Sequence, residues 1–155
     1  MLSPGEHPCP VEFRHRSWQD DGKKEIDPSA QEVLKERNAA TILIDGPGFP
    51  VTKEETADHS YIRFHGRNHD IWYTDDKEGD YRINRYDYLY TQEQLTPWKP
   101  RIEDVEITKG KVRVYFNNHA RAKAIRNAFQ LMDMLAIAHK AKEINLQDQS
   151  AMGNF

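Results

Sequence analysis

The stretch Ala40-Thr41-Ile42-Leu43-Ile44-Asp45 constrains this chain more than any other. It is apolar at both alternating sets of positions, so as a strand it is expected to be buried on both faces, the condition of a strand in a covered parallel sheet. It ends on a carboxylate, and Gly46-Pro47-Gly48-Phe49-Pro50 behind it forbids an immediate helix. The next apolar run, Ser60 to Asn68, has a different pattern. Read at a period of two, Ile62 and Phe64 share one face while Tyr61, Arg63 and His65 share the other, so one side packs and the other does polar work. Gly66 then lets the chain turn sharply, leaving His65 and Arg67 at the carboxyl end of the strand. In parallel α/β folds that end is where ligands sit.

Two more strands and three helices complete the pattern. Val11-Glu12-Phe13-Arg14 reads as a short strand, and Lys111 to Asn118 as another, with Val112, Val114 and Phe116 opposed to Arg113, Tyr115 and Asn117. Asp27 as N-cap and Pro28 at the first position open a helix whose Val33 and Leu34 can face a core, stopping near Asn38. Thr91 and Gln94 form a capping box, and Leu95, Trp98 and Ile102 follow at helical spacing, while Pro97 and Pro100 shorten or kink that helix. A last helix is expected from about Ala120 to Lys140, its Ile125, Phe129, Met132 and Ala136 lining one stripe beside Ala128, Leu131 and Leu135. Strands alternating with helices or crossover-length loops predict a parallel α/β sheet. The domain is expected to span 1–142, with 143–155 a disordered tail.

The long stretch after Arg67 carries Trp72, Tyr73, Tyr81, Tyr86, Tyr88 and Tyr90 with weak periodicity and reads as a functional lid. No apolar run approaches a membrane span, so no membrane partner is expected. A single cysteine, Cys9, excludes an internal disulfide and fits a cytoplasmic location. The net charge of −3 argues against a general nucleic-acid coat. The charge is uneven, however: residues 70–110 hold 10 acidic and 6 basic side chains, and residues 111–142 hold 7 basic and 1 acidic. The last third is therefore locally cationic.

Each strand places polar residues at alternate positions: Glu12 and Arg14, Thr41 and Asp45, Arg63 and His65, then Arg113, Tyr115 and Asn117. These are expected to converge on one interior, either as a layer of ion pairs or with their upper members lining a ligand site. His65 is the proton-transfer candidate because histidine titrates near neutral pH, with Asp45 or Glu12 as orienting or second acid–base group. Arg14, Arg63 and Arg67 would hold an anion, and Trp72, Tyr86 and Tyr88 would stack on a ring. Asn117, Asn118, Arg121 and Lys123 place amides and cations at a helix amino terminus, a pattern that suits a bound anion. No HxH or HExxH spacing supports a metal site, and no GxSxG, Walker loop or GxGxxG is present, so no cofactor is assigned. The expected ligand is a small anionic, ring-bearing molecule, a sugar phosphate or nucleotide; the alternative is a non-catalytic nucleic-acid or nucleotide-binding module.

Several of these blocks carry a resemblance. Val11 to Trp18, the strand ending in Asp45, Tyr61 to Arg67, Arg85-Tyr86-Asp87-Tyr88-Leu89-Tyr90, Glu93 with Leu95 and Trp98, and Tyr115 to His119 with Ala124 and Asn127-Ala128 resemble the signatures of the YecE-like family, the domain of unknown function 72. The resemblance extends over about 120 residues and implies a TIM-like (β/α)8 barrel with no established activity. Members are about twice as long as this chain, so it implies the carboxyl-terminal half only, with the amino-terminal half missing. A half barrel leaves two open strand edges, so the expected partner is a second copy or a separately encoded amino-terminal half.

Overall fold

In the computed structural model, which describes residues 9–18, 25–47, 55–72 and 85–140, four strands form one parallel sheet in the order β1-β2-β3-β4. They are β1 (Cys9–Val11), β2 (Ala39–Asp45), β3 (Ser60–Phe64) and β4 (Val112–Phe116). Every residue of β2 is buried, as its continuous apolar run requires. β3 alternates buried and half-buried residues along its whole length. β1 lies earlier than expected, because Cys9, Pro10 and Val11 pair with Ala39, Ala40 and Thr41. Pro10 brings no N–H to the ladder, and among the described residues β1 pairs on one side only, the position where a strand tolerates proline. Glu12 and Arg14 consequently stand beyond the carboxyl end of β1 rather than within it.

The register assigns the two faces. Leu43, Ile62 and Val114 stand side by side, as do Asp45, Phe64 and Phe116. This face carries the core, in which Leu43, Ile62 and Phe64 pack with Tyr90, Leu95, Trp98, Ile102 and Leu131. Phe64 lies at its centre, with ring centroids of Phe116, Trp98 and Tyr90 at 4.6, 5.0 and 5.2 Å. The opposite face carries Tyr61 and Arg63 of β3, Arg113 and Tyr115 of β4, and Ile42 and Ile44 of β2.

Helix α1 (Pro28–Glu36) follows its caps: the Asp27 side chain accepts hydrogen bonds from Ser29 N and Ala30 N, and Asn38 takes the left-handed conformation at φ 49°. Leu34 is buried, but Val33 is exposed. Gln31 and Leu34, one helical turn apart, occupy the inner side, where Gln31 Nε2 donates to the Ile26 carbonyl at 2.7 Å. A single helical turn, α2 (His69–Trp72), follows β3. Thr91 and Gln94 close both halves of the capping box at the start of α3 (Gln92–Leu95). Pro97 separates α3 from α4 (Trp98–Lys109), and Pro100 falls within the first turn of α4, where its missing N–H has no helical partner to lose. The two prolines therefore break one expected helix into two, and α4 runs for twelve residues with Trp98, Ile102 and Val105 buried.

The last helix, α5 (Lys123–Met134), begins later and ends earlier than the apolar pattern suggests. Arg121 and Ala122 are both left-handed, at φ 52° and 58°, and Ala136 closes the carboxyl end at φ 55°. Its buried residues are Asn127 and Leu131, while Ile125 and Ala136 of the expected stripe are exposed. Asn127 sets this phase. Its Oδ1 accepts from Tyr90 N at 3.0 Å and from Asn118 Nδ2 at 2.8 Å, and its Nδ2 donates to the Tyr90 carbonyl at 2.9 Å. One amide thus serves the Tyr90 backbone as a neighbouring strand would.

Gly66 sits at φ 94°, and a β-carbon there would lie 2.8 Å from the Tyr88 β-carbon. Neither strain nor clash can relax through a flexible side chain, so Gly66→Ala is expected to lower stability by about 1–3 kcal/mol. Urea denaturation measures it, and a midpoint equal to that of the parent would show that the 85–90 segment yields.

Candidate functional site

Two groups of polar side chains gather at the carboxyl ends of the strands, one on each face. On the open face, Glu12 is the hub: it accepts from Arg14 Nε at 2.6 Å and from Arg63 Nη1. Arg63 Nε also donates to Asn117 Oδ1 at 3.3 Å. The His65 Nε2 atom lies 3.7 Å from the same Glu12 carboxylate, beyond hydrogen-bond distance. Glu12 and His65 are almost wholly buried, Arg63 is one-quarter exposed, and Arg14 projects into solvent.

His65 does not titrate near neutrality as its residue type suggests. Burial pushes its imidazole down to about 4, with Glu12 opposing and Arg63 and Arg14 assisting. The ring is therefore neutral at pH 7. Among the described residues, two guanidiniums against one carboxylate leave the cluster one positive charge in excess, with Arg14 exposed.

Aromatic rings wall this cluster. His65 is 6.1 Å from Trp72 and 6.2 Å from Tyr86, Trp72 and Tyr86 meet edge to face at 5.5 Å, and Tyr86 leads on to His119 at 5.4 Å. Arg85 lies over Trp72 at 5.5 Å. His119 was not among the stacking candidates, and its place depends on the bend after β4 rather than on any spacing.

Asp45 does not join this group. It pairs in register with Phe64, so it faces the core, and its carboxylate is saturated there. Arg67 grips it from Nε at 2.8 Å and Nη2 at 2.6 Å, Tyr90 donates its hydroxyl at 3.0 Å, and Trp98 donates Nε1 at 2.9 Å. Arg67, whose charged form this carboxylate stabilises, also lies over the Tyr90 ring at 5.7 Å. Asp45 and Arg67 therefore serve the architecture, and Thr41 likewise faces away from the open side and pairs with Thr56.

The aromatic segment divides in the same way. Tyr90 is fully buried, its hydroxyl accepting from Gly66 N at 2.8 Å, so it is a fixed part of the core rather than of a lid. Tyr88 packs against that core, and its hydroxyl accepts from Gln94 Nε2 at 2.6 Å. Tyr73 and Tyr81 lie outside the described residues. Asn118 is fully buried, donating Nδ2 to the Tyr88 carbonyl at 2.8 Å, and Lys123 is paired with Asp87 at 2.6 Å. Of the four residues expected to hold an anion at the last helix, Asn117 reaches the Glu12 cluster and Arg121 is exposed beside the left-handed turn. Among the described residues no three His, Cys, Asp or Glu side chains stand together as a metal site. No described helix is long and apolar enough to cross a membrane.

These features define an α/β protein with a parallel four-stranded sheet whose polar residues collect at the strands' carboxyl ends. The chain belongs to the DUF72 family, described as a protein of unknown function, whose model matches residues 2–151. The match thus extends over nearly the whole chain, beyond the blocks that first suggested it. Among curated proteins the chain is 30% identical over 145 residues to the UPF0759 protein YunF of Bacillus subtilis strain 168, covering 87% of this chain and 49% of that protein. The crystal structure of a DUF72 family protein from Thermotoga maritima MSB8 superposes with a TM-score of 0.70 at 31% identity, covering 84% of this chain and 47% of the other. A DUF72 family protein from Enterococcus faecalis V583 shares the fold at a TM-score of 0.76 and 23% identity, over 92% of this chain and 53% of that one. The chain spans about half the length of the relatives it matches.

Proposed function

We propose that this protein binds a small anionic, ring-bearing ligand, a sugar phosphate or nucleotide, at the carboxyl ends of β1, β3 and β4. The observation that carries the reading is the surplus positive charge of the Glu12, Arg14 and Arg63 cluster directly beside the rings of Trp72, Tyr86 and His119. The arginines take the anion and the rings take the flat or puckered ring, with neutral His65 buried beside Glu12. With Asp45 saturated on the other face, Glu12 is the carboxylate that this cluster places beside such a ligand.

The same reading takes the sheet as half of a TIM-like (β/α)8 barrel. Among the described residues β1 and β4 each pair on one side only, and relatives of matching fold are about twice as long. The remaining strands would come from a second copy or from a separately encoded amino-terminal half, in a cytoplasmic assembly. Light scattering on the purified chain tests this part: a non-aggregating monomer that unfolds cooperatively would overturn it.

Titration calorimetry with inorganic phosphate, a pentose phosphate and a mononucleotide tests the site. Saturable binding is expected, weakened about tenfold to a hundredfold in Arg63→Gln, as for loss of a charged hydrogen bond. No heat with any of the three would refute the reading. Binding of an oligonucleotide alone, falling steeply with salt, would replace it with a nucleic-acid module.

A further inference from the structure

Tyr86 is the ring that joins the wall of the proposed site together, with centroids 6.2 Å from His65, 5.5 Å from Trp72 and 5.4 Å from His119. It stands in a turn, and residues 87–90 after it belong to neither strand nor helix. Among the described residues, side chains from elsewhere hold this segment. Asn68 Nδ2 donates to the Asp87 carbonyl at 3.2 Å, Asn118 Nδ2 donates to the Tyr88 carbonyl at 2.8 Å, and Asn127 serves both backbone groups of Tyr90. Directly after Tyr86, the Asp87 carboxylate meets Lys123 Nζ at 2.6 Å.

Lys123 is the first residue of α5, and the helix has no side-chain cap there. A cation at that position opposes the helix dipole, so the helix itself does not call for a lysine. Its contact with Asp87 does. Both side chains are only 22% exposed, which draws the pair partly out of water, where attraction is stronger and geometry is held more closely than between solvated charges. Asp87 is thus gripped twice, at its carbonyl from the turn after β3 and at its carboxylate from the start of α5. Tyr86 is the residue bonded next to that anchor.

We propose that Lys123 is a positioning residue for the ring-binding wall: through Asp87 it holds the Tyr86 ring against Trp72 and His119 before any ligand arrives. This rests on the anion and ring site described above and divides the work within it. Arg63 and Arg14 meet the anion, while the cation at the start of α5 is taken up by a carboxylate of the chain itself and acts on the ring half alone. A wall already in place loses less freedom when a flat ring or the apolar side of a sugar settles against it. Lys123 therefore sets the preference for a ring-bearing phosphate over phosphate by itself.

NMR of the ligand-free full chain reads the positioning directly. The His119 ring protons, which lie beside the Tyr86 ring, are expected to move in Lys123→Gln toward their position in Tyr86→Leu, and to return when the pair is reversed as Lys123→Asp with Asp87→Lys. Lys123→Gln should fold, since it takes a cation from a helix start that does not favour one. Titration calorimetry reads the consequence. Affinity for adenosine monophosphate and ribose phosphate is expected to fall about tenfold in Lys123→Gln, as for a stacking ring no longer held in place, while that for inorganic phosphate does not change. Unmoved His119 resonances in Lys123→Gln would overturn the proposal, and so would an equal loss for all three probes, which would put Lys123 on the anion itself. A parent chain that binds none of the three refutes the anion and ring site, and the His119 resonances still decide whether Lys123 places Tyr86.

Discussion

Replacing Asp45 with alanine is expected to lower the unfolding free energy by about 3–5 kcal/mol, the largest loss of any single substitution considered for this chain. The carboxylate is 4% exposed and takes four hydrogen bonds, two of them from Arg67. Its removal strands a half-buried guanidinium, the Tyr90 hydroxyl and the Trp98 indole N–H at once, while the core gains nothing in their place. Tyr90 is so tied to Asp45 that burial, with the carboxylate's help, pushes its phenol far above the ordinary range. Asp45→Asn keeps the shape but turns one acceptor into a donor, so a smaller loss of about 2 kcal/mol is expected. Urea unfolding measures both. A loss below 1 kcal/mol in the alanine variant would mean that Arg67 finds water and that the carboxylate does not organise the fold.

Acid is expected to weaken the protein early, and His65 is the reason. Its ordinary value is 6.5 and its native value about 4, so between those limits the unfolded chain takes up a proton that the folded chain refuses. Stability is therefore flat for this group above pH 6.5, falls as the pH drops through the window, and has lost at most about 3 kcal/mol by its lower end. His65→Gln removes that slope. Asp27, Asp58 and Glu93, held down by hydrogen bonds, give up their contributions as the pH falls below their ordinary values of 3.8, 3.8 and 4.5. Their loss lies at the acid end, apart from most of the histidine window. Urea titrations at several pH values, on parent and variant, check the sign. An identical slope in His65→Gln would assign the acid sensitivity to other groups and would place the imidazole in contact with water.

Much of the architecture was legible because it rests on local chemistry. The Asp27 cap, the left-handed Asn38, the Thr91 and Gln94 box and the turn at Gly66 each follow from side chains acting on backbone within a few residues. The alternation in Ser60–Phe64 and the apolar run of β2 likewise forecast which strand would be half-buried and which wholly so. Val33 and the Ile125 stripe misled, since a helix with apolar residues on more than one side is turned by its neighbours: Gln31 and Asn127 go inward because a backbone group there needs them. Asn127, a polar residue among apolar ones, was the available signal.

The sequence alone determined that four strands would lie parallel and that arginine, glutamate, histidine and aromatic residues would collect near their carboxyl ends, while the bounds of β1 waited on its pairing with β2. Only the tertiary structure decided which of them meet. Asp45 and Arg63 are both polar residues near the carboxyl ends of neighbouring strands, yet register pairs Asp45 with Phe64 and so sends the two to opposite faces. Tyr86 and Tyr90 belong to one aromatic run, yet one walls the open cluster and the other fills the core. A period of two fixes which residues within a strand share a side; which side that is in the next strand depends on pairing between segments far apart in the chain, and one residue of slip exchanges the faces.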